Sequence, residues 1–168
     1  MIVYIVIAVT LIIIDQLTKA WVVTAFESVG DTIPVINNFF HFTYVRNPGA
    51  VFGLGGDSGY NYLIFIGFGI IALGLFAYLF VTNNWKDKRK WLYNIALALL
   101  VAGTMGNFID RIFQPDHKVV DFLDFRGVWD YVFNVADMCL TVGISIFMFD
   151  QFLLDPKRVK ADANAIRT

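Results

Sequence analysis

A chain of 168 residues that is 58% hydrophobic and only 16% charged, with a mean hydropathy of +0.63, is far more apolar than an ordinary soluble domain. A formal net charge of -1, with no Lys/Arg run interleaved with aromatics, gives nothing to attract a nucleic acid, so none is expected as a partner. The single cysteine, Cys139, can form no internal disulfide and lies in an apolar helical pattern, where it reads as a small buried hydrophobe.

A membrane-crossing helix needs roughly 20 mostly apolar residues. In chain order, four windows meet that length: residues 2–24, 60–81, 91–112 and 132–154. The first has no positively charged n-region and its apolar run continues past Asp15 and Lys19 to Val23, so it reads as a retained span rather than a signal peptide. Residues 25–59 carry turn signals at Gly30-Asp31, Pro34, Asn37-Asn38, Asn47-Pro48-Gly49 and Gly55-Gly56-Asp57, separated by β-favouring runs such as FFHFTYV. A small sheet on the outer membrane face is expected there. The second span is free of charge from Ser58 to Trp85 and should have the most lipid-facing surface, its Gly67, Gly69 and Gly74 being read as close-packing positions. Residues 113–131 hold VVDFLDF and an aromatic-rich stretch at Trp129 and Tyr131, and the polar residues 155–168 form a tail whose last dozen residues read as frayed. The whole is expected to be one four-span, mainly α membrane domain, residues 1–168.

Orientation follows from the basic residues. Lys86, Lys88, Arg89 and Lys90 between spans two and three, and Lys157, Arg158, Lys160 and Arg167 after span four, place both segments and both termini on the cytoplasmic side. Trp21 and Trp129 then mark the outer interface, Trp85 and Trp91 the inner one. In that frame the polar and ionisable residues singled out in the spans gather near the outer face: Asp15 and Lys19 in the first, Asn107, Asp110 and Arg111 in the third, Asn134 and Asp137 in the fourth.

An intramembrane carboxylate such as Asp137 points to function, because an unpaired charge is costly in lipid. Its partner is either Arg111, which makes a structural ion pair, or a second carboxylate, with Asp121, Asp124 and Asp130 as candidates that spacing alone does not separate. Two close aspartates cannot easily both ionise, so one donates a proton to a substrate carbonyl while the other takes one from water, which is peptide hydrolysis without a metal. The two histidines, His41 and His117, are isolated, with no HExxH, so no zinc site is expected. Asn134, Asp137, Thr141 and Ser145 follow a spacing that sets a polar stripe into the bundle, where Thr141, Ser145, Gly103 and Gly106 read as packing positions. Asp15 and Lys19, four residues apart, should neutralise each other. The competing class is a small transporter with Asp137 and Arg111 as a relay, but below Ser145 the fourth span runs IFMF to Asp150 and offers no polar path onward.

DQLTK at 15–19, RNPGAVFG at 46–53, GNFIDR at 106–111, VVDF at 119–122 and FNVADMCLTVG at 133–143, in this order, resemble the motifs of bacterial lipoprotein signal peptidase, signal peptidase II. The resemblance covers nearly the whole chain. It implies an aspartic endopeptidase of the bacterial inner membrane that works without a cofactor, its catalytic pair falling on Asp121 and Asp137. The implied substrate is a diacylglyceryl-modified prolipoprotein cut immediately before the lipid-modified cysteine, met in the membrane by a monomer among membrane lipid. It also implies a small extracytoplasmic β-cradle. Asn47, Gly49, Asn107, Asp110, Arg111 and Asn134 would line or brace the substrate site, and Asp15 and Lys19 would support the fold beside it. Val51 stands where many members of the family carry alanine.

Overall fold

The computed structural model describes residues 1–49 and 61–167. The turn at Gly55-Gly56-Asp57, Val51 and the part of RNPGAVFG beyond Gly49 lie outside them. In chain order the elements are α1 (Ile2–Ala25), β1 (Thr32–Ile36), β2 (Phe40–Asn47), α2 (Asn61–Thr82), a short 3₁₀ turn (Lys88–Lys90), α3 (Trp91–Phe113), β3 (Val119–Phe125), α4 (Val135–Phe149), a π-turn (Asp150–Leu154) and α5 (Asp155–Arg167). Four helical stretches are long and apolar enough to cross a membrane. With a three-stranded antiparallel sheet, ordered β1-β2-β3, they make a mainly helical, multi-pass membrane protein.

Helix α3 is the centre of the bundle. Half of its apolar window is buried, whereas none of the α2 window is, in keeping with the charge-free second span facing lipid. The close approach depends on small residues. Ala8 of α1 meets Ala98 and Ala102 of α3, and Gly103 and Gly106 of α3 leave room for Ala136 and Leu140 of α4. Without a hydrophobic driving force between helices in lipid, such contact is what holds spans together. Of the α2 glycines only Gly69 packs, against Phe108; Gly67 and Gly74 face open space, because α2 touches the bundle along one narrow line.

The polar stripe expected on the fourth span does not face into the bundle along its length. Asn134 precedes the helix as its N-cap, and Thr141 and Ser145 are exposed, the serine hydroxyl donating to the Thr141 carbonyl oxygen at 2.7 Å. At about 100° per residue, Thr141 and Ser145 stay on Asp137's side of the helix, and lower down α4 that side points away from the neighbouring spans. The packing face is carried instead by Ala136, Cys139 and Gly143.

The tail is likewise ordered rather than frayed. Arg158 of α5 grips Asp150 in the π-turn and donates to the Arg89 carbonyl oxygen at 2.9 Å, tying α5 to the turn before α3. Asp150 has 0% exposure. Arg158→Leu should therefore strand a buried carboxylate and cost about 3–5 kcal/mol. The double variant Asp150→Leu/Arg158→Leu should recover most of that loss, as read from unfolding in detergent.

The sheet caps one end of the bundle. Val22 and Phe26 at the end of α1 form a core with Tyr44 of β2 and Val120 and Phe122 of β3, with Phe42, Leu123 and Val135 packed around it. Strand β3, within the VVDFLDF run, pairs with β2 so that Asp121 lies opposite Val45. The chain then returns to α4 through a bridge between Leu123 and Phe133.

Candidate functional site

Where the sheet meets α1, α3 and α4, side chains from all of them converge. Lys19 is the hub, only 2% exposed. Its Nζ lies 2.9 Å from Asp15 Oδ2 and 3.0 Å from Asp110 Oδ2, and donates to Asn107 Oδ1 at 3.0 Å, which uses all three of its protons. The second oxygens of those carboxylates, or the same ones shared, organise backbone. Asp15 Oδ1 accepts the Ala136 N–H of α4 at 2.8 Å, and Asp110 Oδ2 accepts the Val120 N–H of β3 at 3.0 Å. The Asp15–Lys19 pairing is thus present, but as part of a three-charge cluster that pins the helix and strand bearing the two key aspartates.

Asp121 and Asp137 are each held by uncharged donors. Asp121 Oδ2 accepts from Asn47 Nδ2 at 2.8 Å, and its Oδ1 from Asn134 Nδ2 at 2.6 Å. Asp137 Oδ1 accepts from Asn107 Nδ2 at 2.7 Å. Its Oδ2 accepts the Asn134 N–H at 3.2 Å while its own N–H donates to Asn134 Oδ1 at 2.9 Å. That reciprocal capping box fixes Asp137 in the first turn of α4, where the helix N-terminus favours an anion. Asn134, fully buried, thus bonds both aspartates.

All three asparagine amides have their orientation set by a donor on the oxygen side. The Gly49 N–H donates to Asn47 Oδ1 at 2.8 Å, the Asp137 N–H serves Asn134, and Lys19 with Asn134 Nδ2 serves Asn107. Each NH₂ is therefore turned toward a carboxylate. Gly49 is required at its place, with φ of +91° and the Phe65 ring where a Cβ would sit.

Burial, reinforced by the negative Asp137, outweighs the Asn47 and Asn134 bonds and pushes the Asp121 carboxyl up to about 7. The sign of the linked stability follows. A folded-state value above the unfolded one gives stability that is fully present below about pH 4 and lost as pH rises through about 7. The melting temperature in detergent should thus fall between about pH 5 and about pH 8.5, and Asp121→Asn, which cannot ionise, should remove much of that fall.

The other predicted residues divide. Arg111 makes no ion pair with Asp137; it donates to the Asn107 carbonyl oxygen at 3.1 Å and lies 5.0 Å from the Phe65 ring centroid. Asp124 turns away, accepting from Thr43 at 2.7 Å and Arg126 at 3.1 Å, which hold it below the usual carboxylate range despite partial burial. One residue had no signal in the sequence beyond its place in DQLTK: Gln16, whose Nε2 reaches Asp15, the Gly106 carbonyl oxygen and Asp110 at 3.1–3.2 Å. Beside Asp137 opens an apolar groove of about 540 Å³, lined by Phe125, Trp129, Phe133, Met138 and Val142.

Comparison with known proteins gives this geometry a family. The family model described as Signal peptidase (SPase) II matches residues 7–153. The lipoprotein signal peptidase of Fusobacterium nucleatum subsp. nucleatum is 40% identical over 159 residues, covering 94% of this chain and 92% of that protein. The lipoprotein signal peptidase of Bacillus pumilus is 42% identical over 160 residues, covering 94% and 96%. A bacterial membrane enzyme solved by the in meso method at 2.3 Å resolution aligns with a TM-score of 0.78 at 35% identity, over 93% of this chain and 90% of that one. With matches spanning most of its length, the chain belongs to the signal peptidase II family and is an aspartic peptidase of that type.

Proposed function

We propose that this protein removes the signal peptide from diacylglyceryl-modified prolipoproteins, cutting immediately before the lipid-modified cysteine with water activated by Asp121 and Asp137. The observation that carries this is the pair itself: two carboxylates, on β3 and α4, joined through Asn134, with Asp137 lining an apolar groove. Asp121, raised by burial, starts protonated and donates to the scissile carbonyl oxygen; Asp137 starts ionised and takes a proton from the attacking water. The tetrahedral intermediate then collapses as that proton passes from Asp137 to the leaving nitrogen and Asp121 recovers its own.

The groove suits the lipid attached to the substrate. Its floor descends α4 from Asp137 to Val142, about 7.5 Å at the helical rise, so an acyl chain can follow it from the scissile bond into the bilayer. The sheet end faces the outside of the bacterial inner membrane, with both termini cytoplasmic, which the basic residues at the opposite end support. Asn47, Gly49, Asn107, Asp110, Arg111 and Asn134 line or brace the site, and Asp15 and Lys19 support it. One chain supplies both carboxylates and their donors, so a monomer suffices.

The test is cleavage of a purified precursor with and without its diacylglyceryl group. The lipidated form should yield a product beginning at the modified cysteine, and the unlipidated form should be a poor substrate. Equal cleavage of both, or cleavage at another bond, overturns the proposal.

A further inference from the structure

Lys19 touches neither aspartate of the pair, yet it is buried in a way that a simple helix-to-helix tie does not require. Two of its protons go to Asp15 and Asp110, and the third goes to Asn107 Oδ1 at 3.0 Å. An amide whose oxygen is held by a cation must present its NH₂ on the other side, and that NH₂ donates to Asp137 Oδ1 at 2.7 Å. Were the amide turned over, its oxygen would face a carboxylate oxygen and its NH₂ would face an ammonium. Both contacts would be repulsive, so Lys19 leaves Asn107 a single orientation.

From this geometry we infer that Lys19 is a positioning residue for peptide hydrolysis: through Asn107 it fixes the hydrogen bond that holds Asp137 as the ionised partner. The inference rests on the proposed roles of Asp121 and Asp137. The charged groups packed around Asp137 are of both signs. From α1 come Lys19 and Asp15, from α3 Arg111, with Asp110 beside it, and from β3 Asp121. Lys19 is the cation that reaches Asp137 through a continuous chain of two hydrogen bonds, while Arg111 turns its bond to the Asn107 carbonyl oxygen.

Removing Lys19 alone would leave Asp15 and Asp110 buried without a counter-ion and endanger the fold. Lys19→Met is therefore combined with Asp15→Asn, which keeps the cluster of Asp15, Lys19 and Asp110 at the same net charge. Cleavage of the lipidated precursor is followed for this double variant, for Asn107→Ala, and for the three substitutions together. The double variant should lose about 10- to 100-fold in kcat with KM within about 2-fold, the scale of a lost hydrogen bond to a charged group. Asn107→Ala should do the same, and the triple variant should be no slower than Asn107→Ala. The acid limb of kcat/KM should move to higher pH by the same amount in all three. In the Asp15→Asn background, Lys19→Gln, which can still donate to Asn107, should recover most of the kcat lost with Lys19→Met. Losses that multiply instead of overlapping, or an unshifted acid limb, would assign Lys19 a structural role alone and overturn the inference. Asn107→Ala with parental kcat overturns it too, with Lys19 untouched. A parent protein that leaves the lipidated precursor intact would instead sink the proposed function.

Discussion

Asp121→Asn and Asp137→Asn are each expected to lower cleavage of a diacylglyceryl-modified precursor by about 10³- to 10⁴-fold while the protein stays folded. General acid–base catalysis by a positioned group contributes about 10²- to 10⁴-fold. On the proposed mechanism each carboxylate serves twice in a turnover, once giving and once receiving, so the upper part of that range applies. The variants differ from the parent by one atom in shape, and their neighbours are the amides of Asn47, Asn107 and Asn134, not a cation left stranded. A gel-shift assay on purified protein reads the loss directly. Asp124→Asn and Asp130→Asn serve as controls and should cleave within about 2-fold of the parent, since Asp130 is exposed and the part-buried Asp124 carboxylate turns to Thr43 and Arg126. Among the described residues the Asp124 carboxylate accepts from Thr43 and Arg126, not from the asparagines of the site. Normal turnover by Asp137→Asn would remove the catalytic pair from consideration.

The second large effect is on the fold. Gly103→Val should abolish assembly of the bundle or cost upwards of about 3 kcal/mol, because overpacking a close contact forces backbone to move. A Cβ built at Gly103 lies 2.9 Å from the Leu140 backbone nitrogen and 2.7 Å from its Cγ, and the α4 backbone cannot rotate away as a side chain might. At Gly106 the obstruction is Asp15 Oδ2 at 2.6 Å, so a side chain there would strike the Lys19 cluster itself. Gly67→Ala and Gly74→Ala are the contrast. Both positions are helical and open, so alanine should be neutral or stabilise by about 0.5–1 kcal/mol. Unfolding in detergent, with cleavage assayed in parallel, separates the two classes.

Much of this was legible in the sequence, and what was not has identifiable causes. Span length and apolarity are one-dimensional properties, so the four helices could be read directly. The clustering of ionisable residues at one end needed only the spans and their direction. What sits between elements was harder. Strand β3 exists because Val119–Phe125 finds β2 as a partner more than 70 residues earlier, and no local pattern announces such a pairing. Thr141 and Ser145 were misplaced because helical spacing shows which residues share a face, not which way that face points. Gly67 and Gly74 were misread because a glycine signals close packing only if a neighbour is present. Asp150 and Arg158 looked like ordinary polar residues at a helix end, and only the folding of α5 against the 3₁₀ turn makes them a buried pair.

The supports of Asp121 and Asp137 are neutral amides, while the nearest full positive charges stand one residue back. Such a shell can hold either form of a carboxyl group in one place, because an amide that steadies the anion tolerates the acid. On the proposed mechanism both carboxylates would then trade protons with substrate and water and end each turnover as they began, with no helix required to shift.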